Sequence, residues 1–396
     1  MFVAPSVGVR RSRALVCAAG VLALVSISTW LFAAERHGVI PPGNYVAATL
    51  PDWPLTEAHA TPLRNDALRR AAVRLDAPGP LRRPRPAYSD PLDDEIVSCR
   101  YLRDDPTGTS AKFNCVLPDG ELVKVKYGRN PEIHAEVAGS ALITALGFPA
   151  DEVHIVPRLR CFGCPRFPFL AMQLLWLTSS TGLLSPHGHE DAFTEFEWVA
   201  VERKFPAPAI EAGDTKGWAW WEIGKSNAPL QDLDALRLVA IFLAHWDNKS
   251  QNQRLVCLDD VPTAPDQPCS RPLAMIQDVG STFGPIKMNV ARWRELPMWT
   301  DRRNCGVSMR ALPFGGGTFP DTHISEAGRV EAVRLFAAMD DEAVRRLFAD
   351  ARFPDFYSPT DDKRDLDAWA TAFRYRVDQL AMAGPCPAPG KASDLD

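Results

Sequence analysis

The run His245-Trp246-Asp247-Asn248-Lys249-Ser250-Gln251-Asn252, followed further on by Asp278-Val279-Gly280, concentrates the chain's chemistry-bearing side chains. It places a carboxylate, an amine two positions on and a carboxamide five positions on in one short loop, and later a second carboxylate beside a glycine. Phosphoryl transfer needs such a set: one carboxylate to orient the attacking hydroxyl, a carboxamide and a second carboxylate to hold Mg²⁺, and a cation to neutralise the transferred group. Asp and Asn are also common in loops because their side chains cap turns and helices. The weight of the pattern therefore rests on the elements around it.

Those elements have the right character to position it. Residues 232–246 carry Leu233, Leu236, Val239, Ala240 and Leu243 at helical spacing, and Leu238, Ile241 and Phe242 widen the stripe to nearly all-round burial. This predicts a core helix delivering the loop on a rigid support. Two apolar runs, 254–258 and 273–276, read as strands that carry Asn252 and Asp278 to one place. Upstream, 95–103 and 112–117 read as strands joined by a turn of small residues, Asp104 to Ser110, with a single glycine. Pro118-Asp119-Gly120 makes a tight turn into the alternating strand 121–127, whose period of two puts Lys124 and Lys126 on one face. Residues 131–146 then read as a helix ended by Gly147, with Glu132 and Glu136 one turn apart.

The loop resembles the H-R-D-x-x-x-x-N catalytic loop and D-F-G motif of the protein-kinase-like superfamily. His245, Asp247, Lys249 and Asn252 fall on the first pattern, and Asp278 falls on the metal aspartate, with Val279 where phenylalanine is usual. The wording from Gln277 to Gly284 is more similar to the atypical branch that holds phosphoinositide kinases, HipA-type kinases and secretory-pathway kinases. The resemblance implies an α+β, two-lobed kinase-like fold, with an antiparallel sheet plus a helix in the N-lobe and a mainly helical C-lobe. It implies ATP and Mg or Mn as cofactors, Asp247, Lys249 and Asn252 as catalytic residues, and Asn252 with Asp278 as metal ligands. It further implies phosphate contacts from the turn at Gly108, Thr109 and Ser110, although this turn is far from a G-x-G-x-x-G loop. Lys126, with Lys124 as the fallback, would contact the α- and β-phosphates and pair with a helix glutamate, Glu136 in preference to Glu132. A pair of strand lysines is otherwise a solvated face. The gap between Asn252 and Asp278 exceeds that of typical protein kinases by the loop Asp259 to Pro268.

The N-terminus and the cysteines speak to compartment. Arg10, Arg11 and Arg13 precede an uncharged, mostly apolar run from Ala14 to Ala34, long enough to span a bilayer. It reads either as a signal peptide cleaved after Phe32-Ala33-Ala34 or as an uncleaved anchor. Both place the remainder outside the cytoplasm, in the periplasm or on the extracytoplasmic face of the inner membrane. Apart from Cys17, eight of the nine cysteines follow the run. Cys99 and Cys115, equidistant from Thr107, would face each other across the first hairpin, and Cys257 with Cys269 would close the inserted loop. Cys161-Phe162-Gly163-Cys164 admits a redox pair, half of a zinc site or a local disulfide. Cys305 and Cys386 remain to tie back the C-terminal tail.

With 396 residues, 46% of them hydrophobic, the chain can bury a large core, and its net charge of −5 argues against a nucleic-acid partner. Residues 1–34 read as the export segment and 35–94 as a Pro- and Ala-rich linker with a short helix at 65–75. Residues 95–192 read as the N-lobe, 193–385 as hinge and C-lobe, and 386–396 as a tail. The strand at 196–201 is the hinge candidate, and Gly217-Trp218-Ala219-Trp220-Trp221 is either a substrate platform or packing. Helices are expected at 330–339, 342–349 and 366–381. The resulting expectation is an exported phosphotransferase moving the ATP γ-phosphate to a hydroxyl of a protein, lipid or sugar. The rivals are a nucleotide-binding pseudokinase or scaffold on the same fold, and a disulfide-rich envelope or redox protein centred on Cys161 and Cys164.

Overall fold

The computed structural model describes residues 36–49, 51–75, 96–103, 108–177, 191–313, 315–357 and 364–387. The export segment, the rest of the linker at 76–94, the turn residues 104–107 and the end of the tail lie outside the described residues. The described part is a mixed α+β structure in two compact units. In chain order its elements are β1 (Arg36–His37), α1 (Glu57–Arg70), β2 (Ile96–Leu102), β3 (Lys112–Val116), β4 (Leu122–Lys126), α2 (Pro131–Ala145), β5 (Glu152–Phe162), α3 (Pro168–Leu177) and β6 (Ala192–Arg203). They continue with α4 (Trp220–Ile223), α5 (Leu230–Leu243), β7 (Gln253–Cys257), β8 (Pro272–Ile276), α6 (Val290–Glu295), β9 (Gly306–Val307), β10 (Thr322–His323), α7 (Glu326–Ala337), α8 (Asp341–Asp350), α9 (Phe353–Phe356) and α10 (Leu366–Ala381).

The sheet unit draws on residues within 1–48, 91–128 and 156–199. Its strands run in the order β1-β6-β4-β3-β2-β5. β2/β3 and β3/β4 are antiparallel, whereas β5, a strand the hydrophobic pattern did not suggest, lies parallel to β2. The register pairs Tyr101 with Cys115, so Cys99 reaches Cys115 diagonally rather than from directly across the hairpin. Cys161 is the cross-strand partner of Cys99 and closes a local disulfide with Cys164, so two disulfides sit side by side in this sheet. One face is filled by aromatic packing: Phe113 lies 5.6 Å from Tyr127 and 5.0 Å from Phe196, ring centre to ring centre.

The helical unit draws on residues within 49–90, 129–155 and 200–396, and so contains α2 as well as everything beyond β6. α5 is its axis. Every residue from Leu233 to Leu243 is buried, as the all-round apolar sequence requires. α7 packs directly on α5 because Gly328 offers no side chain: a Cβ there would collide with Asp234. Asp234 is buried yet satisfied, accepting from Arg237 at 2.7 Å and from the Ser325 amide at 2.8 Å. The helices expected in the C-terminal part are α7, α8 and α10, within four residues of their expected ends.

The linker reading needs correction between residues 53 and 75. Helix α1 begins eight residues before the expected start, and Trp53, Ala60, Ala67, Leu68, Ala71 and Val73 are all buried in the unit's core. The Pro- and Arg-rich composition concealed one narrow apolar face. Asp266 anchors the start of this helix, accepting from the Thr56 amide and hydroxyl, each at 2.7 Å. The inserted loop, closed by Cys257–Cys269, therefore has a partner within the chain. Cys305–Cys386 ties the tail to the turn before β9.

Candidate active site

The candidate catalytic loop grows from the end of α5. Ala244 turns the chain out of the helix in the left-handed conformation, φ 55° and ψ 46°. The guanidinium of Arg376, from α10, is fully buried beneath this turn. It donates to the carbonyls of Ile241 (2.9 Å), Phe242 (3.1 Å), Trp293 (2.7 Å) and Leu296 (2.7 Å). A cation at this point opposes the negative end of the helix dipole. Burial pulls Arg376 down to about 9, which leaves it charged at neutral pH.

His245 follows, wholly buried, with neither ring nitrogen hydrogen-bonded. Burial lowers it to about 4, against an opposing pull from the carboxylates of Asp247 and Asp278. It is therefore neutral at pH 7, and both carboxylates act on it electrostatically. Asp247 receives the Lys249 ammonium at 3.2 Å, and its backbone carbonyl accepts from the Asn252 side-chain amide at 2.7 Å. Asn252 is buried at the end of a short 3-10 turn spanning Ser250–Asn252. With its nitrogen engaged, the carboxamide oxygen is the atom left to serve as a ligand.

β7 and β8 bring the second carboxylate to the same place. Gln253 pairs with Ile276, and the Gln277 amide donates to the Asn252 carbonyl at 3.0 Å, so Asn252 and Asp278 emerge from one end of the ribbon. Asp278 is itself left-handed, φ 51°. Non-glycine residues rarely adopt that region, and such strain collects at functional positions. The next residues pack on α2: a Cβ added to Gly139 would come within 2.9 Å of Val279 Cγ2, and one added to Gly280 within 3.0 Å of the Glu132 Cβ. Glu132, Glu136 and Gly139 share one helix face at positions i, i+4 and i+7. The ends of that face meet Gly280 and Val279, so the buried Glu136 is presented toward the Asp278 loop. Beyond it, the Thr282 hydroxyl donates to the Val279 carbonyl at 2.7 Å, and the Phe283 amide to the Leu243 carbonyl at 2.8 Å. The last bond joins the metal-loop candidate to the end of α5.

The helical unit thus gathers Asp247, Lys249, Asn252, Asp278 and the α2 face with Glu136. The remaining sequence candidates belong to the sheet unit. Lys126 is 1% exposed and Lys124 half-buried, both on β4, while Gly108, Thr109 and Ser110 stand before β3. Lys112 was missed by the sequence reading. It is buried, is the cross-strand partner of Lys126, and would have its ammonium within 2.7 Å of a Cβ placed on Gly108. Asn248, Arg376 and Gly139 were also missed. Asn248 was visible only as a filler between the motif positions, and nothing in sequence marks an arginine far along the chain as a partner of α5.

Other candidates resolve into packing. Trp218 and Trp220 are fully buried and stack edge to face, and Trp220 packs on Phe319 at 5.0 Å. Of the tryptophan group only Trp221 is exposed. Cys161 and Cys164 are buried and joined to each other, which matches the local-disulfide reading and leaves neither sulfur as a thiolate ligand for zinc. Among the described residues, the only cluster with metal-like spacing, Cys257, Asp259 and Cys269, includes two cysteines already joined to each other. All four disulfides follow the expected pairings and fit an oxidising setting. No helix among the described residues is long and apolar enough to cross a membrane.

No protein-family model and no curated protein matches this chain. Among solved structures, it is similar to the proinflammatory kinase CtkA of Helicobacter pylori at 9% identity, with 72% of this chain and 96% of that one covered and a TM-score of 0.40. It is also similar to the golgi casein kinase at 13% identity, with 87% and 95% covered and a TM-score of 0.31. Likenesses this distant leave the functional argument to the residues themselves.

Proposed function

We propose that the protein is an ATP-dependent, kinase-like phosphotransferase that moves the γ-phosphate to a hydroxyl acceptor outside the cytoplasm. The observation that carries the reading is that Asp247 is bonded to Lys249 and Asn252 while the Gln277 amide ties the Asp278 loop to the Asn252 carbonyl. Asp247 orients the acceptor hydroxyl and takes its proton as the new P–O bond forms and the bond to the β-phosphate breaks. Lys249, already beside Asp247, neutralises charge on the transferred group. The donor set of Asn252 and Asp278 is all oxygen, which fits Mg²⁺ or Mn²⁺ rather than a soft metal. Asn252 and Asp278 would hold such an ion, which would supply positive charge against the phosphate oxygens. In this reading the phosphate-contact role falls to Lys126, with Lys124 as the fallback, and to the Gly108–Ser110 turn, and Glu136 is the helix glutamate assigned to the strand lysine. A neutral His245 avoids adding a second cation where the divalent ion is needed.

The acceptor is a hydroxyl of a protein, lipid or sugar, and the net charge of −5 speaks against nucleic acid. The four disulfides and the apolar run at 14–34 support export, with membrane attachment if that run is retained. The test is turnover of MgATP or MnATP by the full chain, with and without hydroxyl acceptors. Asp247→Ala should cut turnover by about a hundredfold or more while still binding nucleotide. Asp278→Ala should abolish the dependence of nucleotide affinity on the divalent ion. Wild-type protein that binds nucleotide without turnover is a binding module, and protein that does neither ends the proposal.

A further inference from the structure

Asn248 lies between two motif positions and has no place in the chemistry above, yet it is 0% exposed. Its carboxamide is used at both ends. The nitrogen donates to the carbonyls of His245 (3.0 Å) and Trp246 (3.3 Å) and contacts the sulfur of Met309 at 3.1 Å. The oxygen accepts the backbone amides of Thr318 (2.8 Å) and Phe319 (2.9 Å). Its own carbonyl accepts the Thr318 hydroxyl at 2.9 Å, and that hydroxyl accepts the Trp220 amide at 3.2 Å. Three chain segments, 218–221, 245–252 and 309–319, therefore meet at one side chain and one hydroxyl.

The polarity of this junction selects the residue type. Carbonyls face one end of the carboxamide and N–H groups the other, so a group with a donor at one end and an acceptor at the other satisfies both. Aspartate would set an oxygen against two carbonyls, and alanine would leave the His245 and Trp246 carbonyls and the Phe319 amide without this partner, the Thr318 amide keeping only its longer bond to the Asn248 carbonyl. Asp247 immediately precedes this anchor, while Asn252 holds the Asp247 carbonyl from the other side. The backbone that aims the Asp247 carboxylate is fixed at both ends by carboxamides.

We propose that Asn248 is the positioning residue of the catalytic loop, joining the aim of Asp247 to the segment 309–319. The inference rests on the phosphotransferase reading of this loop. The test uses the full chain with MnADP as binding probe and MnATP as turnover probe. Asn248→Ala and Asn248→Asp should lower turnover at least thirtyfold while the MnADP dissociation constant stays within threefold of wild type. Thr318→Val should lose about a third to a tenth as much, and Thr318→Ser, which keeps the hydroxyl, should restore wild-type turnover. Independently of activity, the Thr318 and Phe319 amides should exchange with solvent at least tenfold faster in Asn248→Ala, with the Ile210 amide, bonded to Leu255, unchanged. Wild-type turnover in the Asn248 variants, or exchange at 318–319 that does not change, overturns the proposal. If the wild-type chain neither binds MnADP nor consumes ATP, the phosphotransferase reading falls and the exchange measurement alone decides whether Asn248 fixes the loop.

Discussion

Replacing Arg376 with methionine tests how the candidate catalytic loop at 245–252 is held. The substitution leaves the Phe242 carbonyl with the Trp293 indole and the Ile241 carbonyl with the Ala244 amide. The Trp293 and Leu296 carbonyls lose their guanidinium donor. One buried and one half-buried acceptor left unsatisfied cost roughly 1–3 kcal/mol each, and losing a cation from the C-terminal end of α5 costs about 0.3–2 kcal/mol more. Against this, a neutral side chain of similar length no longer has to desolvate a charge, a gain of about 1–4 kcal/mol in comparable replacements. The balance is a loss of about 2–3 kcal/mol, a fall in melting temperature of roughly 4–12 °C for a unit of this size. Arg376→Lys keeps the charge but not the planar fork, so it should recover only part of the loss. Thermal melts of the three proteins, with ATP turnover measured on the same samples, are the assay. A methionine variant that melts at or above the wild-type temperature with unchanged turnover would refute the claim that this guanidinium supports α5 and its loop.

Gly139→Ala should raise helix propensity by about 1 kcal/mol on an open helix, but the new methyl meets Val279 and overpacking costs about 1–3 kcal/mol. We expect no stabilisation and a weaker response to Mn²⁺, with Val279→Ala partly rescuing the double variant; a more stable protein with unchanged metal response would exclude the close approach. His245 and His154 are pulled down by burial to about 4 and about 3 from 6.5. The unfolded chain therefore takes up protons that the native state refuses, so stability is full above pH 6.5 and falls through the window from 6.5 to 4.5. Each histidine contributes a loss approaching 1.4 kcal/mol per pH unit. Denaturant titrations at several pH values measure the slope, and a flat profile from pH 6.5 to 4.5 would contradict the burial of both rings.

Much of the site was legible because its chemistry and its local structure share one short stretch. The run from Leu233 to Asn252 encodes a helix by apolar spacing and a loop by polar residues, and both cues act over a few neighbours. The same holds for α2, α10, the Lys126 strand and the Cys161–Cys164 disulfide. The strand β5 was not legible, since its alternation is broken by Pro157 and charged residues, and neither was the first half of α1, whose Pro62 and arginines masked a face that only packing reveals.

By itself, the sequence determined which polar groups the candidate site can offer, their order, and which cysteines could be joined. Local propensity, hydrophobic period and loop closure are properties of neighbours along the chain. Tertiary structure alone decided that Arg376 caps α5, that Gly139 lets α2 rest against Val279, that the inserted loop holds α1, and that Asn248 spans three segments. Each of these depends on hydrogen-bond direction or steric fit between residues far apart in sequence, and no pattern of neighbours carries that information.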